Sequence, residues 1–304
     1  DAPHRERHLE IIERYGVTVY YTAPTLIRTF MTWFGDDLPT GHDLSTIRLL
    51  GTVGEAINPE AWVWFSRTFG RDETPVVDTW WQSETGAAMI APLPGVMTLK
   101  PGSATRPLPG IDMAVVDDLG NPVAPGQSGT LVARRPWPGM ARTIWGNPER
   151  YRDSYWATYA GHGEHGGYYV AGDGATIDAD GDIWILGRLD DVVNVSGHLL
   201  STIEIESSLV AHAVAAFVVD GAAGAADHND LRAKVARDIG PIAKPKIIVR
   251  VPELPKTRSG KILRRLLAQL WQGDPLGDTT SLQNPWAVDG VRDAIDAARL
   301  KEKS

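Results

Sequence analysis

The spacing of apolar and polar residues predicts a helix, a strand and a second helix at the start of the chain. Residues 7–15 space apolar side chains among charged ones as an amphipathic helix does, and Gly16 is typical of a helix end. Residues 17–21 form an apolar and aromatic run that predicts a buried strand. Pro24 then begins a predicted helix that continues to Trp33.

The same order of elements repeats further along the chain. Residues 47–50 predict a strand that ends in a turn at 51–54, residues 59–69 predict a helix, and residues 76–78 begin another strand. Strands that alternate with helices imply a largely parallel sheet, whose ligands bind beyond the carboxyl ends of the strands. Those ends are residues 22–23, 51–55 and 78–83.

From residue 92 to 187 the pattern changes to short apolar runs separated by Gly, Pro, Asn and Asp, which predicts a β-rich subdomain. The runs are residues 113–116, 129–133, 168–170 and 183–186. Asp180-Gly181 is typical of a hairpin turn before the last of them.

The remaining chain again alternates helices and strands. Residues 201–210 and 231–238 predict helices, residues 217–219 and 247–251 predict strands, and a basic helix is predicted to start near Lys261.

Composition narrows the function classes. The chain has 304 residues and a net charge of −8, which argues against a general nucleic-acid partner. The absence of cysteine excludes disulfides, cysteine-bound zinc and a thiolate nucleophile, and it fits a cytoplasmic location. Residues 209–219, the longest apolar stretch, are too few to cross a bilayer, and residues 1–7 lack the apolar core of a signal peptide, so no membrane partner is expected.

The stretch D-T-W-W-Q-S-E-T-G at 78–86 carries the densest candidate chemistry. Trp81 offers an apolar wall, Ser83 a hydroxyl for a phosphate oxygen, and Glu84 a hard carboxylate for Mg²⁺. Composition alone favours the alternative, a strand and turn with tryptophans in the core.

In P-K-T-R-S-G-K at 255–261, Lys261 follows a glycine and offers a point charge to a phosphate or carboxylate. A solvated basic helix or a nucleic-acid patch remains the alternative for this short basic run. The spacing of a P-loop is absent from the chain.

Two further stretches are ambiguous. Asp190-Asp191 before N-V-S-G-H at 194–198 suits a metal site, a cap or a hinge. The histidines and glutamate at 161–167 suggest zinc, but their flanking glycines favour a mobile loop.

Together these motifs resemble the adenylate-forming ligases, and within them the acetyl-CoA synthetases. The resemblance runs through nearly all of the chain. Its motifs are residues 21–25, 54–62, 78–86, 101–110, 137–143, 187–198 and 255–261.

The resemblance implies an α/β adenylate-forming (ANL) fold. Residues 1–189 would be the C-terminal part of the large AMP-binding domain, with a β-rich subdomain at about 92–187. Residues 190–304 would be a small mobile α+β domain after a hinge at Asp190.

The implied reaction activates acetate with Mg²⁺ and ATP to acetyl-adenylate and pyrophosphate, after which CoA takes the acetyl group and AMP leaves. Lys261 would be the catalytic residue of adenylation, bridging carboxylate and α-phosphate. Val53 and Trp81 would wall the acyl pocket, where a bulky indole admits only a very short acyl chain. The implied ATP- and AMP-binding residues are Gly54, Glu55, Ala56, Asp78, Thr79, Trp80, Trp81, Gln82, Ser83, Asp173 and Arg188.

Further roles follow from the same resemblance. Ser196 and Gly197 would line the passage for CoA, where a side chain at the glycine would obstruct the pantetheine arm. Glu84 would hold Mg²⁺, whereas Val210 and His212 would belong to a structural metal site. A lysine acetyltransferase and a deacetylase are implied partners, because acetylation of Lys261 removes its charge.

Two alternatives stay open. The resemblance starts after the family's phosphate-gripping loop, Leu199 stands where an arginine is usual, and Ala56 replaces a proline. The absent loop and Leu199 favour a non-catalytic fragment or binding module. The other alternative is a propionyl-CoA synthetase-like ligase, which acyl preference in pyrophosphate exchange would distinguish.

Overall fold

The computed structural model describes residues 3–189, 193–195, 198–200, 215–219, 227–238, 245, 247–258, 262–276 and 279–302. The chain divides into two compact units, Asp1–Leu189 and Asp190–Ser304. Within the described ranges, every helix is too short or too polar to span a membrane.

A parallel three-stranded sheet with the order β1–β2–β3 opens the first unit. Its strands are β1 (Val19–Thr22), β2 (Leu49–Thr52) and β3 (Val76–Asp78). Thr52 is in register with both Thr22 and Asp78, so the last residues of the three strands lie side by side. This arrangement gathers the loops that follow the strands at one edge of the sheet.

Three helices share one apolar core with Tyr20, Leu50 and Val76 of this sheet. They are α1 (Arg7–Tyr15), α2 (Pro24–Phe34) and α3 (Pro59–Gly70). Helices α2 and α3 begin at proline, which lacks the N–H that a first helical turn leaves unbonded. The Asn58 side chain also caps α3 by accepting the Ala61 N–H at 3.2 Å.

The boundary of β2 corrects one expectation. The predicted turn at 51–54 begins too early, because Gly51 and Thr52 belong to the strand. Both residues pair with β1 on one side and β3 on the other, so their backbone groups are bonded as in any central strand.

The β-rich part of the first unit is a four-stranded antiparallel sheet with the order β4–β5–β6–β7. Its strands are β4 (Met113–Val116), β5 (Ser128–Ala133), β6 (Tyr169–Ile177) and β7 (Ile183–Arg188). Strand β6 continues well beyond the predicted apolar run, through Gly172 and Asp173. Asp173 is in register with Arg188 on the neighbouring strand.

A short helix, α4 (Pro148–Tyr155), was not predicted. Its start is nevertheless encoded locally, because Asn147 precedes the proline and accepts the Arg150 N–H at 3.0 Å. The helix has few apolar residues, and Tyr151 is its buried residue.

In the second unit, two pairs of strands are described. Strand β8 (Val193–Val195) is antiparallel to β9 (His198–Leu200), and β10 (Ala215–Val218) is parallel to β11 (Ile247–Arg250). Its described helices are α5 (His228–Asp238), α6 (Arg264–Gln272) and α7 (Trp286–Glu302). The helix predicted at 201–210 lies outside the described residues, the basic helix begins at Arg264, and α7 was not predicted.

Candidate functional site

Two buried polar side chains meet at the ends of β2 and β3. The Thr52 hydroxyl donates to Asp78 Oδ1 at 2.5 Å, and Asp78 is only 3% exposed. Burial penalises the charged carboxylate and raises the pKa of Asp78 to about 7, although the hydrogen bond from Thr52 opposes that shift. The buried carboxyl therefore keeps its proton to a much higher pH than an exposed aspartate does.

Aromatic side chains stand beside this pair. The hydroxyl oxygens of Tyr21 and Thr79 lie 2.5 Å apart, and Trp81 Nε1 donates to the Tyr21 hydroxyl at 3.3 Å. The Tyr21 ring lies over Gly51, where an added Cβ would come within 2.5 Å of the ring. Trp81 remains 39% exposed. Its indole therefore offers an apolar surface at the strand ends, while its N–H is held by a hydrogen bond.

Asp173, on strand β6, contacts the segment that follows β3 and the last residue of β7. Its Oδ2 accepts from Trp80 Nε1 at 3.1 Å and from Gln82 Nε2 at 3.4 Å. Its Oδ1 lies 4.0 Å from Arg188 Nη1, which also donates to the Ala171 carbonyl at 2.8 Å. These contacts place a buried carboxylate between two N–H donors and a guanidinium.

Residues of β6 complete this arrangement. The buried Tyr169 hydroxyl donates to Gln82 Oε1 at 2.7 Å. Gly172 has φ of +77°, and a Cβ there would lie 2.7 Å from the Arg188 guanidinium. A glycine is thus needed for both the backbone conformation and the position of the arginine.

The turn after Gln82 presents a second carboxylate. Ser83 is exposed, and Glu84 is half-buried at the start of a 3₁₀ turn, Ser83–Thr85. The Tyr155 hydroxyl donates to Glu84 Oε1 at 2.6 Å, and the carboxylate raises the pKa of Tyr155 through this bond. A hard carboxylate of this kind suits Mg²⁺ shared with substrate phosphates.

The loop after β2 is tied to helix α2. Glu55 accepts from the Thr25 hydroxyl at 2.5 Å and from Arg28 Nη2 at 2.8 Å. Gly54 is exposed with φ of +87°, a conformation that favours glycine. Ala56 is half-buried, so the turn places short side chains and backbone groups next to the strand ends.

The structure brings together many of the residues singled out from the sequence. Direct hydrogen bonds or ion-pair distances connect Trp80, Gln82, Asp173 and Arg188. Val53 is held at the end of β2, where its N–H donates to the Thr22 carbonyl at 3.0 Å. The predicted site residues outside the described residues are Asp190, Ser196, Gly197, Val210, His212 and Lys261.

Several contact residues were missed in the sequence. Tyr21 lies in a quoted motif, but its contacts with Thr79 and Trp81 bridge 58 and 60 positions. Tyr169 lies 87 positions from Gln82, and no local pattern connects them. The sequence predicts a turn at Thr52, whereas the structure places this residue in strand β2 beside Asp78.

A carboxylate cluster was also missed. Among the described residues, Asp178, Asp180 and Asp182 form the group of three acidic residues compact enough to hold a cation. Lys100 Nζ lies 2.6, 2.8 and 2.7 Å from their respective oxygens. Burial opposes the shift most strongly, but hydrogen bonds from Lys100, the Asp182 N–H and Trp184, together with the charge of Lys100, lower the pKa of Asp178 to about 2. The Lys100 ammonium therefore already contacts all three carboxylates and offsets one of their three negative charges.

Comparison with known sequences identifies the family. Residues 1–145 match the AMP-binding enzyme family, and residues 204–261 match the AMP-binding enzyme C-terminal domain. Acetyl-coenzyme A synthetase from Mycolicibacterium smegmatis is 53% identical over 96% of this chain and 33% of its own length. Those from Streptomyces avermitilis and Mycobacterium bovis are 53% and 54% identical over 98% and 97% of this chain, each matched over 48% of its own length. The chain belongs to the adenylate-forming AMP-binding enzymes.

Solved structures confirm the adenylate-forming fold that the motifs predicted. Acetoacetyl-CoA synthetase from Streptomyces lividans superposes with a TM-score of 0.80 at 22% identity, over 98% of this chain and 48% of that one. The anthranilate CoA ligase AuaEII, in complex with anthranoyl-AMP, has a TM-score of 0.70 at 27% identity, over 87% of this chain and 52% of that one. This adenylate-forming chain thus spans about half the length of most relatives it matches.

Proposed function

We propose that this chain is part of an acetate–CoA ligase that forms acetyl-CoA, AMP and pyrophosphate from acetate, ATP and CoA. The observation that carries the proposal is the 53% sequence identity of the chain with two acetyl-coenzyme A synthetases, over 96% and 98% of its residues. In the first step a carboxylate oxygen of acetate attacks the α-phosphorus, and pyrophosphate leaves. In the second step the CoA sulfur attacks the acyl carbon, and AMP leaves.

In this proposal the nucleotide binds along the ends of β2 and β3, the middle of β6 and the end of β7. Asp173 and Arg188 take the ribose hydroxyls, which suits a carboxylate beside a guanidinium at 4.0 Å. The turn 54–56 borders the adenine, and residues 78–83 border the ribose and α-phosphate. The exposed Ser83 hydroxyl contributes a donor to a phosphate oxygen.

Glu84 fits the Mg²⁺ that ATP chemistry requires, because its half-buried carboxylate lies on the turn next to Ser83. Bound there with the phosphates, the ion would neutralise their charge. Tyr155 holds one oxygen of this carboxylate by the 2.6 Å hydrogen bond.

Val53 and Trp81 form the proposed acyl pocket. The Trp81 indole is held through Tyr21 at the strand ends. A rigid indole leaves little volume beyond a methyl group, so acetate is preferred over propionate and longer acids are excluded.

Lys261 is proposed as the lysine that acts in adenylation. We further propose that a lysine acetyltransferase controls the enzyme by acetylating Lys261, and that a deacetylase reverses this. Asp190 is proposed as a hinge, Ser196 and Gly197 as CoA contacts, and Val210 with His212 as a metal site. A cytoplasmic location is part of the same proposal.

The two half-reactions provide the test. Lys261→Ala should abolish acetate-dependent ATP–pyrophosphate exchange while thioester formation from supplied acetyl-adenylate and CoA continues, because the lysine stabilises charge in adenylation alone. Lys234→Ala, an exposed lysine on α5, is the matched control and should retain both half-reactions. No exchange with acetate in the whole wild-type enzyme that contains this chain would refute the proposed activity, and faster exchange with propionate would refute its acyl preference.

A further inference from the structure

The amide of Gln82 is held in one orientation by three partners. Its Oε1 accepts from the Tyr169 hydroxyl at 2.7 Å, and its Nε2 donates to the Ala171 carbonyl at 2.8 Å and to Asp173 Oδ2 at 3.4 Å. A flipped amide would set its oxygen against a carbonyl and a carboxylate, both of which only accept hydrogen bonds. These two acceptors set which way the amide faces, and the hydroxyl donor at Oε1 is the third contact that holds the side chain in place.

The Tyr169 hydroxyl is that donor, and the residues around it hold it in place. Its side chain is fully buried, and burial raises the pKa of Tyr169, so the hydroxyl keeps its proton. The ring stacks on Tyr155 with centroids 5.5 Å apart and an angle of 9° between the planes. Trp156 packs edge-on from another side at 5.6 Å. These contacts give the hydroxyl one position.

The position of the Gln82 amide also affects the Asp173 carboxylate. Trp80 Nε1 and Gln82 Nε2 both donate to Oδ2, which fixes the rotation of the carboxylate and turns Oδ1 to the side of Arg188. Without the Tyr169 hydroxyl, Gln82 loses a partner and the carboxylate loses part of its restraint.

We propose that Tyr169 is a positioning residue for nucleotide recognition: through Gln82 it orients the Asp173 carboxylate toward the ribose hydroxyls. This inference rests on the proposed nucleotide site. Tyr169 touches no substrate in it and acts through the amide of Gln82.

The test compares binding of AMP and 2′,3′-dideoxy-AMP by titration calorimetry. The wild-type protein should prefer AMP, because only AMP offers hydroxyls to Asp173. Tyr169→Phe should weaken AMP binding about three- to tenfold, the effect of one hydrogen bond, and leave binding of the dideoxy nucleotide unchanged. The preference for AMP should shrink by the same factor.

Tyr159→Phe is the matched control, since it removes another buried tyrosine hydroxyl, one that donates to the Asp117 carbonyl at 3.0 Å. It should change neither affinity. In a Gln82→Leu background, Tyr169→Phe should add no further loss of AMP affinity, because its effect passes through Gln82.

The outcomes separate the inference from the proposed function. Equal loss of both nucleotides in Tyr169→Phe, no loss of either, or an additive loss with Gln82→Leu would overturn the positioning role while AMP binding by the wild type stands. Failure of the wild type to bind AMP would overturn the proposed nucleotide site and the inference with it.

Discussion

Replacing Asp78 by Asn should stabilise the fold increasingly as the pH rises. The carboxyl has an ordinary pKa of 3.8, and burial raises it to about 7 in the folded chain. Between these values the folded state holds a proton that the unfolded state has released, so stability is greatest at low pH and is lost as the pH rises toward 7. Asparagine keeps an oxygen for the Thr52 hydroxyl and has no charge to bury.

The size of the effect follows from the shift. About three pKa units at 1.36 kcal/mol each correspond to a cost of roughly 4 kcal/mol above pH 7, where the loss is complete. The gain of Asp78→Asn over the wild type should therefore grow by about 1.4 kcal/mol per pH unit between pH 5 and 7 and level off above.

Urea unfolding followed by circular dichroism at pH 5, 6, 7 and 8 measures this difference, because other titrating groups are common to both proteins and cancel. Asp118→Asn, at an exposed position, removes the same charge and should show no such slope. A stability difference for Asp78→Asn that is independent of pH, or that grows as the pH falls, would refute the reasoning.

Two further predictions concern the proposed acyl pocket and the stability of the fold around Gly86. Trp81→Gly should allow carboxylic acids several carbons longer to support pyrophosphate exchange and should reduce the preference for acetate, because removal of the indole opens the proposed pocket. An unchanged chain-length profile would exclude Trp81 from the pocket. Gly86→Ala should lower the free energy of unfolding by clearly more than 1 kcal/mol, because a Cβ at φ of +74° would meet the Gly139 carbonyl oxygen. Gly95→Ala, at φ of +80° with nothing within 4 Å, isolates the backbone cost at about 1 kcal/mol, and an equal loss in both variants would show that the Gly139 contact relaxes freely.

Local signals in the sequence determined much of the secondary structure. Pro24 and Pro59 mark the first residues of two helices, because the N–H that proline lacks has no partner in the first helical turn. Gly16 ends another helix with φ of +57°. These effects act between residues at most four apart. The order of such elements predicted a largely parallel sheet followed by a β-rich subdomain, and the resemblance of the motifs implied the adenylate-forming fold.

Strand bounds were less well predicted, because a strand ends where its partners end. Gly51 and Thr52 carry turn-like residue types, yet neighbouring strands on both sides bond their backbone groups. The long strand β6 likewise continues through Gly172 and Asp173 because it pairs with β7 as well as with β5.

Residue order alone places particular residue types after each strand, and this indicated where to look for a ligand site. The contacts among those residues depend on the folded chain. The hydrogen bond from Trp80 to Asp173 joins positions 93 apart, and that from Tyr169 to Gln82 joins positions 87 apart. The raised pKa of Asp78 likewise depends on its burial in the folded chain. Burial and distant hydrogen bonds exist only once both sheets are packed, so no local pattern encodes them.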